Sequence, residues 1–188
     1  MVEGVLGCPV CQMEHDVRRG VLHWSAASGA SAGAASASAP PAASTADTSE
    51  DAVTRIGALL GFGESTAPFV LTGPSAAAAV GLLGLVDAVL VLLDPPDDAA
   101  AAFATVIRGA ARVPLAARSA RGVLLDGDWA VADRALAAVD ALADGGRLVA
   151  PVSVPLPAGV RELARDDRQW VAERVGGGVP IPLRRAAR

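Results

Sequence analysis

Aromatic side chains are scarce in this chain: tyrosine is absent, and three tryptophans and three phenylalanines make up 3% of 188 residues. A core so poor in rings has to be built from Ala, Val and Leu, which suits helices packed on a buried parallel sheet whose strands read as continuous aliphatic runs. Only two cysteines occur, at C-x-x-C spacing, which excludes a disulfide scaffold and fits a reducing, cytoplasmic compartment. The only histidines, His15 and His23, lie near the N-terminus, so the rest of the chain has no histidine base. With a net charge of −4 and a pI near 5.1, the chain offers no broad attraction for nucleic acid. Its one basic cluster, Arg184, Arg185 and Arg188, reads as a solvated tail. Val5-Leu6-Gly7-Cys8 has the look of a lipoprotein box, but no basic segment and no long apolar run precede it, so no export signal is expected.

The chain is organised around Phe69-Val-Leu-Thr-Gly-Pro-Ser-Ala-Ala-Ala-Ala-Val80. A short apolar run meets Gly73-Pro74, and good helix formers follow from Ser75, which is placed to cap a helix. A second run, Asp87 to Leu93, ends at Asp94. Strand, glycine turn, helix, strand and terminal acid outline a nucleotide-binding βαβ unit, although Gly73 stands where such loops usually carry several glycines. Asp87 is the sole charge between Phe69 and Leu93, a length that also permits a membrane span. Gly73-Pro74, Gly81, Gly84 and the carboxylate itself, which costs about 2.5–3.5 kcal/mol at mid-membrane, argue for a strand pair and against a span.

Residues 1–24 form a separate unit. Cys8-Pro-Val-Cys11 is a zinc-knuckle turn, Arg19-Gly20 a hairpin turn, and Val21 to Trp24 a return strand. Cys8, Cys11, His15 and His23 can make a Cys2His2 zinc set; the alternative is a hairpin with two free thiols. Residues 25–46 contain only Ala, Ser, Gly, Pro and Thr, a flexible linker that leaves the placement of the knuckle open.

Order resumes with residues 47–188. Thr48 or Ser49 caps a helix carrying Val53, Ile56, Leu59 and Leu60 on one face, ended by Gly61. After the βαβ unit, Pro95-Pro96-Asp97-Asp98 starts an alanine-rich helix reaching Phe103. Thr105–Ile107 and Gly122–Leu125 read as strands, the second closing on Asp126-Gly-Asp-Trp129. Residues 130–143 read as a helix with Val131, Leu136, Val139 and Leu142 inward, stopped by Asp144-Gly145-Gly146 before a strand over 147–154. Helical spacing returns from Val160 to Leu163, and Trp170–Val175 with Val179–Leu183 reads as a terminal β-hairpin. The alternation indicates an α/β sheet with right-handed crossovers.

From Arg55-Ile-Gly-Ala-Leu-Leu-Gly-Phe-Gly63, Val113-Pro-Leu-Ala-Ala-Arg-Ser119 with Val123-Leu-Leu125, and Ala138-Val-Asp-Ala-Leu-Ala-Asp-Gly-Gly-Arg-Leu-Val149, the chain resembles class I S-adenosylmethionine-dependent methyltransferases of the type 11-like group over residues 50–183. The N-terminal segment is similar to the front half of zinc ribbons that precede some of them. The resemblance implies a Rossmann-like fold, a mostly parallel sheet with a C-terminal antiparallel hairpin, preceded by a small zinc-knuckle hairpin. It implies S-adenosylmethionine as cofactor, with Gly73, Ser75 and Asp94 at its contacts and Asp94 on the ribose hydroxyls. The family's first motif, an acid before Gly-x-Gly-x-Gly, is matched here by Thr72 and by Gly73, Ser75 and Ala77. Ala110 and Arg121 stand where the family carries further acids.

Two meanings therefore stand beside each site residue. Gly73 is a cofactor contact or an ordinary strand-to-helix turn, and Asp94 holds a ribose or caps the segment before Pro95. Asp126 and Asp128, at the carboxyl edge of the sheet, are substrate-facing acids or turn residues. The leading functional expectation is a degenerate, non-catalytic methyltransferase-like protein that acts through a protein partner or in regulation. The alternatives are a working methyltransferase with an atypical cofactor loop, for which proximity alone suffices without a histidine base, and a membrane-anchored protein using residues 69–93.

Overall fold

The computed structural model describes residues 3–7, 14–24, 48–97, 99 and 104–176. Cys8, Cys11, the linker, most of the expected helix toward Phe103 and the expected strand Val179–Leu183 lie outside them. In chain order the elements are β1 (Gly4–Gly7), β2 (Glu14–Arg18), β3 (Val21–His23), α1 (Glu50–Leu60) and β4 (Ser65–Thr72). A 3-10 turn over Gly73–Ala78 runs into α2 (Ala79–Leu85), followed by β5 (Ala88–Leu93), β6 (Thr105–Arg108) and β7 (Ala120–Leu124). A second 3-10 turn, Gly127–Trp129, precedes α3 (Ala132–Ala141), β8 (Leu142–Pro151), β9 (Val160–Arg165) and β10 (Gln169–Arg174).

All the strands join one sheet in the order β1-β2-β3-β6-β5-β4-β7-β8-β10-β9. From β3 to β8 the pairings are parallel, and both ends are antiparallel. Strand order reverses between β4 and β7. In open α/β sheets that reversal opens a crevice at the carboxyl ends, where ligands bind.

Consecutive residues divide between the two faces, as the pleat requires. Val70, Leu93, Ile107, Val123, Leu148 and Trp170 pack on one side with Ala135, Ala138 and Val139 of α3. Phe69, Leu71, Leu92, Leu124 and Val149 pack on the other with Val53 and Leu60 of α1 and Leu82 of α2. This two-sided burial explains the unbroken aliphatic runs. Residues 69–93 are thus strand, turn, helix and strand within the sheet, and among the described residues no helix is long and apolar enough to cross a membrane.

Several local expectations are corrected. Residues 160–163 are not helical: Val160 and Leu163 have helical spacing, but β9 is an edge strand with five of its six residues exposed, and pairing with β10 decides its conformation. The hairpin partner of β10 is therefore β9. Its turn is built by Asp166, whose Oδ1 accepts from the backbone N–H groups of Arg168 and Gln169. On α3, Val139 is buried but Leu136 and the preceding Val131 are exposed; alanines do the packing because the helix lies close to the sheet. Gly145-Gly146 does not end that helix but sits inside β8, where the register with β7 shifts. Gly146 has room for no Cβ there, which would lie 2.8 Å from the Ala143 carbonyl oxygen.

The N-terminal hairpin does not stand apart. Its turn is Arg19-Gly20, both at positive φ as such two-residue turns require. β3 pairs with β6, and the Trp24 N–H extends the contact by donating to the Arg108 carbonyl at 2.8 Å. Val21 packs against one face of the core, Leu22 and Trp24 against the other.

Two arginines reach from the sheet to cap helix C-termini, where carbonyls have no partner within the helix. Arg147 on β8 donates to the Ala58 and Leu59 carbonyls of α1. Arg174 on β10 donates to those of Val139, Asp140 and Leu142 at the end of α3. Replacing Arg174, whose side chain is 14% exposed, with Ala removes all three bonds. The expected loss is about 1–3 kcal/mol in urea unfolding with the fold retained; an unchanged midpoint would contradict the capping role.

Candidate functional site

The site that the sequence points to is the crevice at the carboxyl ends of β4, β5 and β7. Thr72 is the last residue of β4 and fully buried. Its Oγ1 accepts from the Asp126 N–H at 2.9 Å and faces the Asp126 carbonyl at 3.4 Å, so one hydroxyl ties the end of β4 to the loop after β7. Gly73 follows at φ 55°, a conformation that favours glycine. A Cβ on Gly73 would lie 2.9 Å from the Asp126 carbonyl oxygen, and one on Gly127 would lie 2.8 Å from Cδ of Pro74. The space beside Gly73 is taken by the protein's own backbone.

Ser75 does not cap the helix as expected. Its hydroxyl donates to the Thr72 carbonyl at 2.8 Å, because the chain enters a 3-10 turn before α2 begins. Asp94, at the end of β5, has a φ of 46°, uncommon for any residue but glycine and best tolerated by Asp and Asn. Its Oδ1 accepts from the Gly109 N–H at 2.6 Å and its Oδ2 from the Trp129 indole N–H at 2.9 Å. Ala110 is buried in the same cluster as Trp129, while Arg121 lies on β7 and donates to the Gly145 carbonyl.

Trp129 carries no signal in the sequence beyond its position after Asp126. It is 1% exposed. Its backbone N–H donates to the Asp126 carbonyl, and the Arg134 guanidinium lies over its ring at 4.5 Å from the centroid. The Thr72–Asp126 bond and the Trp129–Asp94 bond thus close the crevice at two points.

On the α1 side of the same strand ends a cleft of about 480 Å³ remains open, lined by Asp51 and Arg55 of α1, by Pro74 and Ser75 after β4, by Leu125 and Asp126 after β7, and by Arg168 and Gln169. Arg55 pairs with Asp166 at 2.6 Å across the cleft's rim, an exposed pair worth little in stability. The Asp166 carboxyl is held below its usual range, first by the Gln169 and Arg168 amides and then by the guanidinium charges of Arg55 and Arg168.

The expected zinc ligands are not brought together among the described residues, where no group of three His, Cys, Asp or Glu is placed to hold a metal. His23 pairs with Asp16, so strand alternation sets His15 and His23 on opposite faces of the hairpin. His15 is buried and stacks on Trp24, with ring centroids 4.3 Å apart. Cys8 and Cys11 lie outside the described residues.

No protein-family model and no curated protein matches this sequence. Among solved structures, the chain is similar to a candidate S-adenosyl-L-methionine-dependent methyltransferase from Methanococcus maripaludis, at 12% identity and a TM-score of 0.50. The match covers 70% of this chain and 87% of that one. The chain has a methyltransferase-like fold. At this identity the likeness concerns architecture alone.

Two features bear on the cofactor that the resemblance implies: the turn at Gly73 packs against Asp126, and each oxygen of Asp94 already accepts one hydrogen bond. Thr72→Val tests the closure, since it keeps the shape and removes the hydroxyl. It should cost about 1–3 kcal/mol by leaving the Asp126 N–H without an acceptor, whereas Thr72→Ser should cost clearly less; equal losses in urea unfolding would mean that packing alone joins the loops.

Proposed function

We propose that this chain is a non-catalytic, methyltransferase-like protein of the cytoplasm that acts through a protein partner or in regulation. The observation that carries the reading is the lack of room beside Gly73, where a Cβ would lie 2.9 Å from the Asp126 carbonyl oxygen. In a working enzyme of this fold, the turn after the first core strand has to leave its backbone bare for the cofactor. Here that approach requires parting Thr72 from Asp126 and displacing the half-buried loop that carries Trp129. Each unmade hydrogen bond or overpacked contact costs about 1–3 kcal/mol, and 1.4 kcal/mol is tenfold in affinity. Two or three such costs carry a micromolar ligand to the millimolar range.

The net charge of −4 speaks against a nucleic-acid partner and leaves a protein partner as the reading. A second reading, an active methyltransferase with an atypical loop and Gly73, Ser75 and Asp94 still holding S-adenosylmethionine, draws on the open cleft that reaches Ser75 and Asp126. Titration calorimetry separates the two. The expected result is no S-adenosylmethionine binding tighter than about 1 mM, which corresponds to roughly −4 kcal/mol. Micromolar binding that Asp94→Ala abolishes would overturn the proposal and favour the enzyme.

A further inference from the structure

We infer that Trp129 is a built-in occupant of the nucleoside side of the crevice, an internal group that satisfies Asp94 in place of a bound ribose. The inference rests on the methyltransferase-like reading above, and it concerns how the site is kept shut. An acid at the end of the second core strand is where dinucleotide and nucleoside folds receive ribose hydroxyls, because a carboxylate accepts from two neighbouring O–H donors. Asp94 holds that position and has its two donors: the indole N–H at 2.9 Å and the Gly109 amide at 2.6 Å.

An indole is a planar, largely apolar group with one N–H at its edge, so it supplies both a flat surface and a donor. Trp129 belongs to the buried cluster that also holds Leu93, Ile107, Ala110 and Val113, at the ends of β5 and β6 and in the loop that follows. The loop that delivers it is fixed twice, by its own amide on the Asp126 carbonyl and by Asp126 on Thr72. Arg134 closes the outer side of the ring. Gly109 is at φ 75°, which turns its N–H onto the carboxylate. The left-handed backbone at Asp94 belongs to the same arrangement, since a strained residue persists where its surroundings hold it.

Trp129→Ala removes the ring and frees one oxygen of Asp94. With adenosine as the probe, calorimetry on the wild type should show no binding at millimolar concentrations. The folded Trp129→Ala protein should bind adenosine with at least a tenfold gain, and adding Asp94→Ala should abolish the gain. A Trp129→Ala protein that melts cooperatively and still ignores adenosine would overturn the inference while leaving the non-catalytic reading intact. Micromolar S-adenosylmethionine binding by the wild type would overturn that reading as well. Should Trp129→Ala fail to fold, the wild type decides by NMR. The Trp129 indole N–H should exchange with solvent far more slowly than an exposed indole and should shift on Asp94→Asn substitution; rapid exchange or no shift would contradict the bond to Asp94.

Discussion

One side-chain hydroxyl holds the carboxyl edge of this sheet together. Thr72 ends β4, Asp126 follows β7, and the two strands flank the point where strand order reverses. In an open α/β sheet the loops leaving those strands diverge, because their helices go to opposite faces, and the divergence makes the crevice. Here the helices still part, α2 to one face and α3 to the other. The loops do not, since Asp126 folds back onto Thr72 and Gly73. That one closure sets the path of Gly127–Trp129, and so the position of the indole on Asp94.

A crevice closed in this way trades ligand contacts for internal ones of the same kind. The amide and carbonyl of Asp126 meet Thr72, and the carboxylate of Asp94 meets Trp129 and Gly109. None of the buried polar side-chain atoms among the described residues lacks a partner. Unsatisfied groups aimed into a cavity mark a site waiting for a ligand, since leaving them unpaired costs free energy. This edge carries no such signal. What remains open is a cleft on the α1 side of the same strand ends, running from Pro74 and Leu125 to the β9–β10 turn, with balanced charge from Asp51, Asp126, Arg55 and Arg168.

The core strands were legible because each is buried on both faces and reads as an aliphatic run, from Phe69-Val-Leu through Val123-Leu-Leu. Strand β9 was hidden, since Val160-Arg-Glu-Leu-Ala-Arg has helical spacing and edge pairing leaves no pattern of buried residues; Asp166-Asp167 was the available turn signal. The thinning of the glycine loop showed in Ser75 and Ala77, but what fills the gap did not. Trp129 and Asp94 are far apart in sequence, and only the fold of the Asp126 loop joins them. The hairpin's docking on β6 was equally invisible, because parallel pairing leaves no mark in a three-residue strand. Of the expected Cys2His2 set, His15 and His23 have opposite parity on their paired strands, which spacing in the sequence does not reveal, and Cys8 and Cys11 lie outside the described residues.

Whether the chain itself holds the Gly73 turn against the loop after β7 is read from backbone hydrogen exchange at Asp126. Its amide donates to a fully buried hydroxyl. The account predicts strong protection, close to that of core strand amides, unchanged by S-adenosylmethionine. Fast exchange in the free protein, or a change in protection when S-adenosylmethionine is added, would contradict it.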